Sequence, residues 1–421
     1  MTNVPVTRKE VVAKIKQDFR HRHFDYDLKK DAARKRWDCV KKKFDPAVKQ
    51  ASWQRMLEAA WRIGYTEDWA GVGATLDRVE REIGQYEPPL SQQADGSWSM
   101  GYTVPFHKLE PTVDALQRDD LDCSQLKPLA FMKDYQDPAY VKQRLDCLRV
   151  SVVRDTGVNN RAELGAVMTA LSQIIFKKKI RDLLENCPRL DFKVSPQLEQ
   201  MYTDYLWKMQ NAGTGYWGPT YRFPDGTVEM QDLSFTFHVV HYYEDGGRGQ
   251  MVPNPAKINA TTIAIFDPKF EYSSGWVPVD RDPPFSDHNN YDSVTLYSCG
   301  WNIMTAAQQN AAKDQMQAVL TWCLTDSFKG DRFVVPSDMS AVDAHYYGVK
   351  FLNVIGFWTP GQGPWPADML TVPPCTPKPK DAAAALYCYF RNHVDDGSPA
   401  AETTKKILEA VIAGRSVYPR V

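Results

Sequence analysis

Four stretches of the chain repeat one plan: an amphipathic run, a short glycine–aromatic loop, then a second helix-like run opened by Ser, Thr or Asp. The loops read Asp95-Gly96-Ser97-Trp98, Gly215-Tyr216-Trp217-Gly218, Gly275-Trp276 and Ser327-Phe328-Lys329-Gly330-Asp331, and clear following helices begin at Asp232 and Asp338. One such unit cannot bury its apolar face alone. Units stacked side by side close into a barrel of nested helices, whose loops at one end surround a central cavity. The repeat therefore constrains where a site lies more tightly than what the site does.

The 421 residues suffice for a large core, and 43% hydrophobic content is ordinary for a soluble globular chain. Aromatic content is high, with 12 Trp and 20 Tyr, which suits either a core of large side chains or cavities with aromatic walls. No stretch reaches the roughly 18 apolar residues that cross a bilayer, so no membrane partner is expected. Residues 1–17 contain no apolar signal-peptide core and no small-residue cleavage site. The eight cysteines are scattered without a CxxC pair, which predicts reduced, mostly buried thiols. The expected location is the cytoplasm, or outside the cell if a leader has been removed.

Residues 1–50 hold 15 Lys+Arg against 7 Asp+Glu, but acids and aromatics are interleaved with them. That pattern suits a solvated helical face, and a nucleic-acid partner is not expected. Periodicity predicts helices over 6–85, near 141–148, and over 162–184, 197–210, 256–266, 305–324, 340–357, 382–393 and 401–413. Short hairpin arms are expected at Thr103–Phe106, Thr227–Met230 and Arg332–Val335, with no parallel sheet. Seven prolines between Pro360 and Lys380 predict an extended surface connector. The organisation expected is all-α: a basic helical N-terminal extension over 1–85, then one domain over 86–421.

The helix from Asp232 to Tyr243 is apolar all round except for Ser234, His238 and His241, which share one stripe. Burying these groups unpaired would cost about 1–3 kcal/mol each. Either neighbours satisfy them in the core, or the stripe faces a wet cavity. His238 and His241 alone do not make a zinc site, since no third ligand lies nearby in sequence, and no metal or cofactor is expected.

A second cluster, Ser286-Asp287-His288-Asn289-Asn290-Tyr291-Asp292, precedes an apolar run over 294–301. Caps and turns account for part of it. His288 as base, Tyr291 as proton donor, Asn289 and Asn290 as amide donors and Asp292 as carboxylate go beyond capping. Glu229, Asp232 and Asp338 are further acidic candidates. Tyr216, Trp217, His241, Trp276, Trp301 and Tyr346 are candidate substrate-binding groups, since aromatic faces stack on sugar rings.

The repeat, its loops and the scarcity of strands resemble the α/α-toroid superfamily of terpenoid cyclases, protein prenyltransferases and carbohydrate-active enzymes. Gln92-Gln93-Ala94-Asp95-Gly96-Ser97-Trp98 is similar to the Gln-x-x-Asp-Gly-Ser-Trp turn of the cyclases. The cyclases' Asp-x-Asp-Asp and Asp-Asp-x-x-Asp motifs are absent, the nearest acidic run being Asp119-Asp120-Leu121-Asp122. The prenyltransferase zinc pattern is absent too. The Asn/His/Tyr cluster is similar in composition to toroid polysaccharide lyases. That resemblance implies Asn289 or Asn290 neutralising a uronate, His288 or His238 as base, and Tyr291 as acid. The expectation is an α/α toroid that cleaves a poly- or oligosaccharide by β-elimination or by acid/base hydrolysis. In the hydrolytic case Glu229 or Asp232 pairs with Asp292 or Asp338. The alternatives are a terpenoid cyclase or prenyl-binding toroid, and a non-catalytic helical scaffold.

Overall fold

The computed structural model describes residues 92–98, 105–118, 121–152, 160–223, 226–229, 231–245, 252–266, 287–329, 332–334, 341–374, 378–395 and 399–415. The basic extension, the Gly275-Trp276 loop and Asp338 lie outside the described residues, as do Ser286 and Ser340.

The described chain is mostly helical. In order, the helices are α1 (Pro105–Leu116), α2 (Pro138–Arg149), α3 (Arg161–Phe176), α4 (Lys178–Asn186), α5 (Pro196–Met209) and α6 (Leu233–Asp245). Then follow α7 (Pro255–Ile265), α8 (Asp287–Gly300), α9 (Ala306–Trp322), α10 (Ala341–Val354), α11 (Pro379–His393) and α12 (Pro399–Ile412). Local chemistry sets several starts. Asp137 and Ser195 cap α2 and α5 ahead of a proline at the first helical position, and Thr305 with Gln308 forms a capping box on α9.

Packing order fixes the layers. α1 packs on α3, α3 on α6, α6 on α8, α8 on α10 and α10 on α12, while α2, α5, α7, α9 and α11 lie outside this row. α3 and α6 run parallel, because their first residues meet at Arg161–Asp232 (2.7 Å) and their last at Phe176–Tyr243 (5.1 Å between rings). The C-terminal ends of α1 and α3 meet through Gln117 and Gln173 (3.0 Å). The N-terminal halves of α6, α8 and α10 meet through Phe237–Tyr291 and His288–Tyr347. The inner helices thus stand side by side, pointing the same way. α3 is buried almost continuously from Leu164 to Phe176, as befits a helix covered by neighbours on most sides.

Two of the glycine–aromatic loops share one hydrogen-bond pattern. Gln92 Nε2 donates to Gly96 O and to Lys127 O (2.8 Å each), and Trp98 N donates to Thr112 Oγ1 in α1 (3.1 Å). Likewise Gln210 Nε2 donates to Gly215 O (2.9 Å) and Pro253 O (2.6 Å), and Trp217 N donates to Thr236 Oγ1 in α6 (3.0 Å). Each glutamine closes its own loop and ties it to the segment leading to a later outer helix. Each threonine ties the same loop to an inner helix. Both loop glycines have positive φ, 84° at Gly96 and 75° at Gly215. A Cβ at Gly96 would lie 1.9 Å from Pro128 O. Glycine is required there by conformation and by space.

Several expectations are corrected. Thr103–Phe106 is not a hairpin arm, because α1 starts at Pro105. The helix expected over 162–184 is two helices, broken at Lys177, whose ψ of 117° is extended. The bend turns Ile180 and Leu184 into the core. A parallel pairing does occur, over two residues: β1 (Val150–Ser151) lies beside β2 (Thr220–Phe223), which forms a hairpin with β3 (Gly226–Glu229). A second hairpin joins β4 (Phe328–Lys329) to β5 (Arg332–Phe333). The proline-rich connector is not wholly on the surface, since Trp365 is buried against Trp301. Cys123 and Cys187 form a disulfide rather than two thiols. The segments leading to α2 and α5 run together (Leu129 N donates to Leu190 O, 2.8 Å), a meeting across 64 residues that spacing cannot reveal. Cys147 and Cys388 are exposed rather than buried.

If the glutamines brace the layers, Gln210→Ala strands two carbonyls and costs about 1–3 kcal/mol for each one left without a partner. The urea midpoint should fall without a change in m-value. A midpoint equal to wild type would show that the loop does not brace the fold.

Candidate functional site

Solvent reaches the inner helices along narrow stripes. On α6 the residues Leu233, Phe235, Phe237, Val239, Val240 and Tyr243 are buried, whereas Ser234, His238, His241 and Tyr242 are not. On α1 the corresponding stripe is Glu110, Asp114 and Gln117, beside buried Leu109, Val113 and Leu116. On α8 it begins at His288 and Asn289, and on α10 it is Tyr346, Tyr347 and Lys350.

These stripes face one another. His238 stacks on Tyr242 (5.4 Å), and Lys177 Nζ lies 4.8 Å from the Tyr242 ring centre. His288 stacks on Tyr347 at 3.9 Å. The electrostatics join them further. Burial, then the charges of His288, His241, Arg161 and Lys177, push the His238 imidazole down to about 3, so it is neutral near pH 7. Burial, then Tyr346, Asp114, Glu110 and Tyr347, push the Tyr242 phenol well up. Groups from α1, α6, α8 and α10 therefore lie close enough to act on one another's charge.

Glu110 and Asp114 are the acidic members of this group. Both side chains are exposed to solvent. Yet burial raises the Glu110 carboxyl, and burial followed by the Glu110 charge raises Asp114 to about 7, partly offset by Lys177. The two carboxyls share the α1 stripe with Gln117, to which Lys177 donates (2.9 Å), so an ammonium stands on the same side of the helix. Sequence reasoning missed both residues by reading the start of α1 as a hairpin arm. The i, i+4 acidic pair beside the Leu109, Val113 and Leu116 stripe was the available signal.

The His288 cluster does not merely precede and cap the helix expected from 294. It forms the first turns of α8, because burial of Tyr291, Val294 and Tyr297 overrides the weak helix propensity of Asn and Asp. Only His288 and Asn289 reach solvent, while Asn290, Tyr291 and Asp292 are buried. His288 Nε2 lies 3.4 Å from Asp292 Oδ2. Burial, then the charge of Asp232, pushes the Asp292 carboxyl well up. The protonated form of the Asp292 carboxyl is therefore favoured beside His288.

Other candidates sit elsewhere. Asp232 is buried at the start of α6, where it accepts from Phe235 N (3.1 Å) and pairs with Arg161. Glu229 is exposed on β3, 3.5 Å from Arg149. Trp217 and Tyr216 are covered: Trp217 Nε1 donates to Leu206 O, and the Tyr216 hydroxyl is 2.8 Å from Thr262 Oγ1. Trp301 follows the far end of α8, about 20 Å along the axis from His288 at 1.5 Å per residue. These three rings offer no open face to a ligand in the hollow. Tyr346, Tyr242 and Tyr347 are partly accessible, the last two already stacked on His238 and His288. Among the described residues, no three His, Cys, Asp or Glu side chains are grouped to hold a metal ion, and no helix is long and apolar enough to cross a membrane.

No family model, curated protein or solved structure matches this chain.

The Asp114 shift sets a pH dependence of stability. Its carboxyl titrates at about 7 when folded and near 3.8 when unfolded, so the native state binds the proton more tightly. Stability contributed by that proton is lost as pH rises from about 4 to about 7. Asp114→Asn removes this term. Thermal melts across pH should show the variant gaining on wild type through that window and holding the gain above it. A difference that does not vary with pH would refute the assignment.

Proposed function

We propose that the protein is an enzyme built as an α/α toroid, and that it cleaves an acidic, polyhydroxylated carbohydrate in its hollow by β-elimination. The side-by-side, co-directional packing of α1, α3, α6, α8 and α10 supports the toroid. The observation that carries the chemistry is the His288–Asp292 pair, stacked on Tyr347 at the hollow's wall.

Elimination needs one group to take a proton from carbon and another to give one to the leaving oxygen. Because Asp292 holds its proton, the His288–Asp292 pair serves as donor rather than base. The buried carboxyl restores the proton that the ring gives up. Tyr347, stacked on the imidazole, holds it in place. Asn289, the accessible amide, is available to the substrate carboxylate, whereas Asn290 is buried in the helix packing. Hydrolysis by the carboxylates first considered has less support: Glu229 lies on an outer hairpin and Asp232 is committed to Arg161.

A second reading has its own support. The Gln92 and Gln210 loops share one geometry, and the first carries the cyclase-like turn sequence. Desolvated carboxyls among tyrosines would also suit protonation of a polyprenyl substrate, with aromatic faces stabilising the cation.

The test is a panel of polygalacturonate, alginate, hyaluronan and heparan sulfate, followed by ultraviolet absorbance of the unsaturated product. We expect turnover with at least one polymer and a fall of about 10²–10⁴-fold in His288→Ala. Absorbance-silent incubation with all four, together with cyclised product from a polyprenyl diphosphate or squalene, would replace the lyase reading with the second.

A further inference from the structure

We propose that Asp114, backed by Glu110 one helical turn away, is the base that takes the proton from carbon, and that Lys177 holds the substrate's carboxylate beside it. The inference rests on the elimination reading and supplies the half of the reaction that His288 and Asp292 leave open.

Three observations carry it. Glu110 and Asp114 are on the accessible face of α1, whose opposite face is buried on α3, so both carboxyls stand outside that packing, on the stripe where Gln117 accepts from Lys177. Neither side chain makes a hydrogen bond or ion pair among the described residues, in contrast to Asp232, which caps a helix and pairs with Arg161. The third observation concerns their neighbours. Lys177 sits at the break between α3 and α4, donating to Gln117 Oε1 (2.9 Å) with its ammonium over Tyr242. His238 next to Tyr242 has a buried Nδ1 without a hydrogen-bond partner. The pair therefore belongs to a mixed wall of carboxyl, ammonium, phenol and imidazole, and it faces the groups of α8 and α10 across the hollow.

Acidity suits the role. A carboxyl that titrates near neutral pH is ionised often enough to accept a proton and basic enough to hold it. Glu110 keeps Asp114 basic by charge repulsion, and Lys177 keeps it from being fully protonated. The step balances without a co-reactant. The ionised Asp114 carboxylate takes the hydrogen alpha to the substrate carboxylate, whose developing negative charge Lys177 stabilises. The electron pair forms the carbon–carbon double bond as the carbon–oxygen bond beyond it breaks. The leaving oxygen takes the proton held by His288 and Asp292. Loss of the Asp114 proton to water and uptake of one by the His288–Asp292 pair reset the site.

The test separates the two halves. On the polymer that wild type cleaves, Asp114→Asn should lower kcat by about 10²–10⁴-fold, and the loss of activity as pH falls below about 7 should vanish from the residual rate. In deuterated water, a uronate oligosaccharide should exchange its alpha hydrogen in His288→Ala but not in Asp114→Asn, as read by mass spectrometry. A synthetic uronide with a nitrophenolate leaving group, which needs no proton, should restore His288→Ala and leave Asp114→Asn slow. Exchange that persists in Asp114→Asn, or rescue of that variant by the good leaving group, overturns the assignment. If wild type cleaves none of the polymers, the elimination reading fails. Difference infrared spectra then decide the pair on their own. A carboxylic acid band that disappears between pH 5 and 9 in wild type, and is missing in Asp114→Asn, keeps Asp114 as a proton-exchanging group. No such band removes it.

Discussion

Two glutamine side chains hold the layers in register. Gln92 and Gln210 each bridge a tight glycine turn and the approach to a later outer helix, while Thr112 and Thr236 fasten the same turns to inner helices. All of these groups are buried or nearly so, where an unmade hydrogen bond is expensive. One loop thus fixes an inner helix against its own turn and against the outer layer at once. The inner helices must then stand side by side and point the same way. The polar stripes follow from that alignment, because neighbouring inner helices cover most of the rest of each helix surface among the described residues.

Such a face does not tolerate arbitrary residues. Water reaches it, but from one side only, so a charge there is poorly solvated and must be paired or neutralised. The chain uses both solutions within a few ångströms. His238 stays neutral because burial and surrounding cations oppose its protonation. Glu110 and Asp114 are pushed toward the acid form, with Lys177 the nearby cation that limits the rise for Asp114. The wall therefore holds acids and bases whose protons are loosely committed near neutral pH, a condition that proton-transfer catalysis requires and that stability alone disfavours.

Helical periodicity was enough to locate α5, α6, α7, α9, α11 and α12 to within a few residues, and the Ser234, His238 and His241 stripe was legible for the same reason: an otherwise apolar helix must put its polar residues where water reaches. The failures have physical causes too. Pro105 suggested a turn, but proline at a first helical position starts α1 and so concealed the Glu110–Asp114 pair. The polar run over 287–292 suggested caps and turns ahead of a helix starting at 294, since local preference cannot anticipate burial against α6 and α10. Tyr216 and Trp217 were marked as ligand platforms because aromatic residues beside glycine are common in both roles. Only the hydrogen bonds to Leu206 and Thr262 show that these rings brace the fold. The Cys123–Cys187 link depends on two distant segments lying together, and nothing local encodes it.

The division of labour among the acids follows from one guanidinium. Asp232 and Asp292 are both buried and raise one another's cost of ionisation, so two bare charges there would be intolerable. Arg161 lies 2.7 Å from Asp232, and the Phe235 amide donates to the same carboxylate. Asp232 is therefore the carboxylate matched to the cation, and it is spent on holding α3 to α6. Its charge then adds to the desolvation of Asp292 and keeps a proton there, beside His288. Moving the arginine to the other carboxylate would reverse the assignment: a charged Asp292 would fix His288 as a cation, and the start of α6 would lose its anchor. Structural and chemical roles are separated here by where a single cation sits, and sequence spacing gives no hint of that position, since Arg161 and Asp232 are 71 residues apart.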